Sequence, residues 1–317
     1  MRLVLDDGPR TARIVVIGEA PGATEEQLGR PFVGAAGYKL NDWMRQAGLD
    51  RRECYVTNVY PMRPAGNRIE TVPKRELADW TDQLHDRLAA LADPWVLVPT
   101  GNTALRALTG KVGITKHRGS IYAYTDRRNR TIKVIPTLHP AAIFRQPTWE
   151  RRGLRDWQRI ADDAAFRELR LPHREHYIRP SLSDVESFVA DAARDAETLS
   201  LDIETPGGRI ACIAFSHDPA FSITVPTTLD YWQTDTTLAD VWDLIRRLCD
   251  APCAKVLQNG LFDTFYLAED HDIALRNWQW DTMAMHHLLD ATDRHNLAYM
   301  ASVDTREPYY KDDSTDP

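Results

Sequence analysis

Four short stretches of this 317-residue chain carry side chains suited to handling a nucleobase. Gly18-Glu19-Ala20-Pro21-Gly22 makes a tight loop whose backbone N–H groups can face a ligand. Gly29 to Gly37 sets Phe32 among glycines, Thr57-Asn58-Val59 offers an amide, and Leu138-His139-Pro140 offers an imidazole. A ring can stack a base, an amide can read its edge, and an imidazole can meet a developing negative charge. Such parts serve to cleave the N-glycosidic bond of a base flipped out of a duplex. Leaving uracil departs as an anion, so a donor at its O2 stabilises the transition state more than the ground state. Gly18, Phe32 and Asn58 are the expected base-binding residues, and Glu19 and His139 the expected catalytic ones. Taken singly, His139-Pro140 also suits a helix N-terminus, Asn58 a strand-end cap and Phe32 a core position.

A second chemistry is written in acids. Leu199 to Thr205 holds Asp202 and Glu204 two residues apart in an apolar run. On a strand, a side-chain period of two turns both carboxylates to one face. Asn259-Gly260-Leu261-Phe262-Asp263 adds a third acid where a strand passes into a helix, and Asp281 and Asp290 follow. Acids among apolar neighbours need compensation, which divalent cations supply. Cys249 and Cys253 form an i,i+4 pair, but without a second pair they read as packing.

Elements must hold these residues in place. Ile14-Val15-Val16-Ile17 is a β-branched run stopping at Gly18, which reads as a buried parallel strand. Residues 55–57, 96–98 and 132–135 read as further strands, with helical patterns at 37–47, 73–91, 102–108 and 150–169. The alternation predicts an α/β domain with a mainly parallel sheet. Ligands then sit beyond the carboxyl ends of the strands, where Gly18-Glu19, Asn58, Thr100-Gly101 and His139 fall. Residues 173–180 are polar, end in proline and read as a linker between domains 1–172 and 181–317. Helices at 184–196 and 238–249, with strands at 199–203, 210–215, 221–225 and 255–258, predict a second α/β unit with an antiparallel start.

Charge divides along the same boundary. Residues 1–172 carry 28 Lys and Arg against 20 Asp and Glu, whereas residues 173–317 carry 11 against 26. A basic half joined to an acidic half suggests phosphate contact by the first, with Lys116, Arg118 and the Arg127–Arg130 cluster as solvated or phosphate-contacting groups. At 43% hydrophobic and 27% charged residues, the chain builds real cores and is not disordered. No apolar run approaches the ~20 residues of a spanning helix, and no secretory signal is visible. Four cysteines fit a reducing cytoplasm without a disulfide framework.

Together, Gly18–Gly22, Arg30-Pro31-Phe32-Val33-Gly34, Thr57-Asn58-Val59 with Arg63-Pro64, and His139–Arg145 resemble the family-four uracil-DNA glycosylases over roughly residues 13–169. The resemblance implies a three-layer α/β/α fold, uracil excision, Phe32 stacking, Asn58 recognition and His139 at the leaving group. It further implies that Ala141–Arg145 enters the duplex, with Ile143 or Phe144 as the apolar wedge and Arg145 beside it on the DNA. That family usually holds an iron–sulfur cluster on four cysteines, one in the place of Met62. Residues 1–172 contain only Cys54, so no cluster is expected. A crosslinking variant of the family carries Arg-Ile-His where this chain has Arg68-Ile69-Glu70, so covalent capture is not expected. Both departures resemble the glycosylase-like domain of some bacteriophage A-family DNA polymerases.

Residues 181–312 resemble the DnaQ-type 3′–5′ exonucleases of those polymerases, on an RNase H-like fold. That likeness implies that Asp202, Glu204 and Asp263 hold two metal ions, Mg²⁺ or Mn²⁺. The family's third motif, Tyr-x3-Asp or His-x3-Asp, normally lies downstream of a segment like Tyr309-Tyr310-Lys311-Asp312. With the sequence reaching Pro317, the exonuclease-like domain is expected to be truncated, leaving Tyr299 and Asp304 open as substitutes. The combined expectation is a cytoplasmic protein, bacterial or phage-encoded, that binds uracil-containing single- or double-stranded DNA and excises uracil. A DNA polymerase polypeptide is a candidate partner, and no membrane is involved. A non-catalytic DNA-tethering module and a proofreading fragment of a split polymerase remain the alternatives.

Overall fold

A computed structural model describes residues 2–311, so Asp312 and Pro317 lie outside the described residues. The chain divides into two compact units, Met1–Leu171 with the chain from Ala298 onward, and Pro172–Leu297.

The first unit contains, in order, β1 (Ile14–Gly18), α1 (Ala23–Leu28), α2 (Ala35–Gln46), β2 (Tyr55–Asn58), α3 (Lys74–Ala89), β3 (Val96–Pro99), α4 (Asn102–Thr109), α5 (Ile114–His117), β4 (Tyr122–Thr125), β5 (Thr131–Val134) and α6 (Glu150–Asp163). Its sheet runs β2-β1-β3-β5-β4, parallel except for β4, an antiparallel edge strand that the sequence pattern does not show. Every residue of β1 is buried because both faces are covered. Ile14 and Val16 pack with Leu40, Trp43 and Met44 of α2 and with Trp157 and Ile160 of α6. Val15 and Ile17 pack with Leu84 and Leu88 of α3 and with Ala104 and Leu108 of α4. Three layers follow directly from that alternation. Gly153 lets α6 approach α2, since a Cβ there would lie 2.3 Å from the Trp43 ring.

The second unit holds β6 (Glu175–Tyr177), α7 (Leu182–Asp195), β7 (Thr198–Glu204), β8 (Cys212–Asp218), β9 (Phe221–Pro226), α8 (Leu229–Trp232), α9 (Asp235–Asp250), β10 (Ala254–Leu257), α10 (Leu261–His271), β11 (Trp278–Asp281) and α11 (Thr282–Leu289). Its sheet order is β11-β10-β7-β8-β9-β6, with β7, β8 and β9 antiparallel to their neighbours in sequence. Ser181 opens α7 with a capping box, its side chain accepting from the Asp184 N–H while the Asp184 carboxylate accepts from Ser181 N–H. Leu199, Leu201 and Ile203 of β7 face a core built with α7 and α9.

Two expectations are corrected. The 173–180 segment is not a plain linker, because Glu175–Tyr177 adds a parallel edge strand to β9. An exposed three-residue edge strand has no buried face, so no hydrophobic pattern announces it. The second domain does not run to the C-terminus either. Helix α12 (Leu297–Asp304) brings Ala298 and the residues after it into the first unit. There Arg159 donates to the Ser302 carbonyl at 2.8 Å, and Arg306 pairs with Asp163 at 2.7 Å.

Candidate nucleobase pocket and acidic cluster

The carboxyl ends of the first sheet build one pocket of about 200 Å³, lined among others by Glu19, Phe32, Asn58, Asn67, His139 and Ala141. Gly18 and Asn58 are register partners across β1 and β2. A Cβ at Gly18 would lie 2.3 Å from Asn58 Oδ1 and 2.7 Å from the Phe32 ring. Glycine is therefore required so that the amide and the ring can meet over the strand end. Arg87 of α3 fixes the neighbouring backbone, donating to the Asn58 carbonyl at 3.0 Å and to Asp6 at 2.7 Å.

Phe32 sits at φ +52, a left-handed conformation that a bulky residue holds only when its surroundings enforce it. Two residues that sequence reasoning missed do so. Arg51 donates to the carbonyls of Pro31 at 2.7 Å and Phe32 at 3.1 Å. Glu25, itself buried, accepts from the N–H groups of Val33 at 3.0 Å and Gly34 at 2.7 Å. Gly37 completes the loop, for a Cβ there would lie 1.9 Å from the Phe32 carbonyl oxygen. An acid lying between the Gly18–Gly22 and Gly29–Gly37 stretches was the one signal the sequence held for Glu25; nothing in the local sequence marks Arg51.

His139 follows β5 and faces Phe32 with ring centroids 5.7 Å apart. Its Nδ1 accepts the Ala141 N–H at 3.2 Å, so a neutral ring carries its proton on Nε2. Burial, then the Arg145 charge, push the imidazole down to about 4, with Glu25 pulling slightly the other way. The ring is thus a neutral donor at neutral pH. Because the folded form resists protonation, its contribution to stability is complete above the ordinary value of 6.5 and is lost as pH falls through about 4. ¹⁵N NMR of the ring is expected to show an Nε2–H tautomer at pH 7 with a midpoint near 4; a midpoint at 6.5 would contradict this geometry. Glu19, at the end of β1, is held by the Thr103 hydroxyl.

The expected DNA-facing residues separate. Phe144 is 59% exposed and Arg145 is exposed, whereas Ile143 is buried in the core beside Trp157. Ile143 is therefore not the wedge in this conformation. Arg118 is corrected too: at 2% exposed, it is a buried ion-pair partner of Asp156 rather than a phosphate contact. Lys116 is half-buried, its Nζ 5.8 Å from the Tyr309 ring. Arg127 bridges Asp82 and Asp86, and Arg130 pairs with Asp126 at 2.6 Å. Burial pushes the Cys54 and Cys249 thiols up to about 12, which suits packing.

In the second unit, Asp202 and Glu204 share the exposed face of β7, as the period of two requires, so burial among apolar groups does not force compensation there. Asp263, on α10, is buried and accepts the Ile203 N–H at 3.0 Å. Burial pushes its carboxyl up to about 6; the Ile203 bond opposes the rise, and the charges of Asp202 and Asp281 add to it. Asp281 caps α11, accepting from Met283 at 2.9 Å. Among the described residues, no three His, Cys, Asp or Glu side chains are gathered closely enough to hold a metal ion as they stand. The oxygen-only donor set suits a hard divalent cation, which would relieve the repulsion raised at Asp263. Tyr299 and Asp304, left open as substitutes for the third motif, are instead engaged with Arg118 and Arg155 of the first unit.

Family models place one match on each unit, although the second match runs past Leu297 into α12. The model described as the uracil DNA glycosylase superfamily matches residues 5–163, about half of the chain, and one described as a 3'-5' exonuclease matches residues 181–304. The type-4 uracil-DNA glycosylase of Thermotoga maritima is 38% identical over 156 residues, covering 48% of this chain and 77% of that protein. That of Archaeoglobus fulgidus is 34% identical over 160 residues, covering 49% and 78%. A DNA polymerase of Bacillus phage SP01 is 24% identical over 311 residues, covering 88% of this chain but 33% of the polymerase. The pocket and its motifs fall within residues 5–163, the stretch that the glycosylase model matches. The chain belongs to the uracil DNA glycosylase superfamily, with a 3′–5′ exonuclease domain following its glycosylase domain.

Proposed function

We infer that this protein excises uracil from DNA by hydrolysing the N-glycosidic bond. The observation that carries the reading is the meeting of Phe32, Asn58 and His139 in one pocket, with His139 Nδ1 occupied by the Ala141 N–H. Phe32 stacks on the flipped base, and the Asn58 amide pairs with a uracil carbonyl and N–H. As the C1′–N1 bond breaks, its electrons move onto the base, and His139 Nε2–H donates to the oxygen where the charge collects. Glu19 faces the sugar, where it steadies positive charge at C1′ and takes the proton of the incoming water. Phe144 is the exposed apolar tip suited to fill the space the base leaves. The full chain, mixed in excess with labelled uracil-containing DNA in EDTA, is expected to produce abasic sites. No release at any protein excess would sink this reading in favour of DNA tethering.

The second domain is read as a metal-dependent module acting on DNA 3′ ends. Asp202, Glu204 and Asp263 would hold Mg²⁺ or Mn²⁺, which would supply positive charge to activate water and to offset the charge on the leaving 3′ oxygen. The chain's own contribution is to fix these acids on β7 and α10. Loss of 3′ nucleotides is expected to require Mg²⁺ or Mn²⁺ and to vanish in Asp202→Ala; trimming that survives that substitution would remove Asp202 from the site. DNA is the partner of both domains, and the phage polymerase relative supports a polymerase polypeptide as a further one. No helix among the described residues is long and apolar enough to cross a membrane.

A further inference from the structure

The His139 loop is tied to a buried polar path that begins far along the chain. Tyr299, on α12, belongs to the first unit and is 1% exposed, although it falls inside the stretch matched by the exonuclease family model. Its hydroxyl accepts from Arg118 Nη1, and the guanidinium carbon lies 5.9 Å from the Tyr299 ring centroid. Arg118 then forks onto Asp156, Nε to Oδ2 at 3.1 Å and Nη2 to Oδ1 at 2.7 Å. Asp156 Oδ2 also accepts the Thr137 hydroxyl at 2.8 Å.

Thr137 stands two residues before His139. Its N–H donates to the Pro99 carbonyl at 3.0 Å, and its own carbonyl accepts from Gly101 at 3.0 Å. Gly101 in turn lies against His139, where an added Cβ would come 3.2 Å from His139 Cβ. Tyr299, Arg118, Asp156 and Thr137 are all buried, and in such a low-dielectric setting each hydrogen bond polarises the next. Burial pushes the Asp156 carboxyl up, while Arg118 and Thr137 draw it back down.

We propose that Tyr299 is a positioning residue for uracil excision, setting the His139 loop through Arg118, Asp156 and Thr137. This rests on the uracil-excision reading above. It makes a residue beyond most of the exonuclease domain's sequence part of the glycosylase site's support.

The test is Tyr299→Phe in the full chain, which keeps the ring and removes the hydroxyl. Single-turnover uracil release is expected to fall about tenfold, the scale of one hydrogen bond to a charged group, with affinity for uracil-free DNA unchanged. The His139 ring ¹⁵N resonances are expected to shift in the folded variant, a signature that a purely structural contact would not produce. Thr137→Val is expected to slow release similarly, and the double variant no further, since both interrupt one path. Unmoved His139 resonances in folded Tyr299→Phe overturn the proposal. Those resonances decide it even if the wild-type chain releases no uracil, an outcome that defeats only the excision reading. Should Tyr299→Phe fail to fold, Arg118→Lys keeps the charge opposite Asp156 but shortens the reach to Tyr299. It is read by the same resonances, a shift supporting the path and no shift overturning it.

Discussion

His139→Ala is expected to slow single-turnover uracil release by about 10²–10³-fold, the usual loss when one donor to a developing oxyanion is removed. On the excision reading proposed above, the bond from Nε2–H strengthens as charge moves onto the base, so the loss belongs to the chemical step and not to binding. Affinity for DNA is therefore expected to stay within about threefold of wild type, because the exposed Phe144 and Arg145 are untouched. The variant should also fold, since the imidazole is half-buried at the pocket wall and fills no deep core position. Release measured with enzyme in excess over a labelled uracil oligonucleotide checks this. A rate within threefold of wild type would show that His139 does not meet the leaving group.

Arg118→Leu is expected to destabilise the first unit by about 3–5 kcal/mol at neutral pH. The reason is what it leaves behind. Asp156 is 2% exposed and would keep the Thr137 hydroxyl but lose its ion-pair partner, leaving the Arg155 charge acting on it without a direct contact. Burial holds the Asp156 carboxyl above its ordinary range even with Arg118 beside it, so the fold makes it easier to protonate than the unfolded chain does. Stability at this group is greatest at low pH and is lost as pH rises through the folded value. The deficit of Arg118→Leu should accordingly shrink on acidification. Adding Asp156→Leu should recover most of it, because removing both members leaves no buried charge. Hydrogen exchange across residues 114–169 at pH 7 and pH 5 reads both effects; a deficit of the same size at both would place the loss in packing.

The parts of the fold that could be read from sequence are those with a local cause. Ile14–Ile17 announces a strand covered on both faces because four apolar residues in a row admit no solvent face. Asp202 and Glu204 share a face because the strand period allows nothing else. Phe32, Asn58 and His139 could be grouped because α/β sheets gather residues at one end. What could not be read depends on distant partners. Arg118 looks like a surface cation until Asp156 and Tyr299 arrive from 38 and 181 residues away. Arg51 has no local mark of its grip on the Phe32 loop. Ile143 and Phe144 are adjacent apolar residues, and only the turn at Pro140–Ala142 decides which one points inward. Spacing set Asp202 and Glu204 on one face, but could not show that a backbone N–H would occupy one oxygen of Asp263.

The return of the chain at Ala298 bears on how the protein is born. A ribosome delivers residues in order, and the second unit separates the bulk of the first from its last helix. At about 5–20 residues per second, that insert keeps the nascent first unit waiting on the order of ten seconds for α12. Through that interval Arg118 and Asp156 are made but their cover is not. The second unit, continuous in sequence from Pro172 to Leu297, can finish folding before the first, which leads the chain but waits for α12.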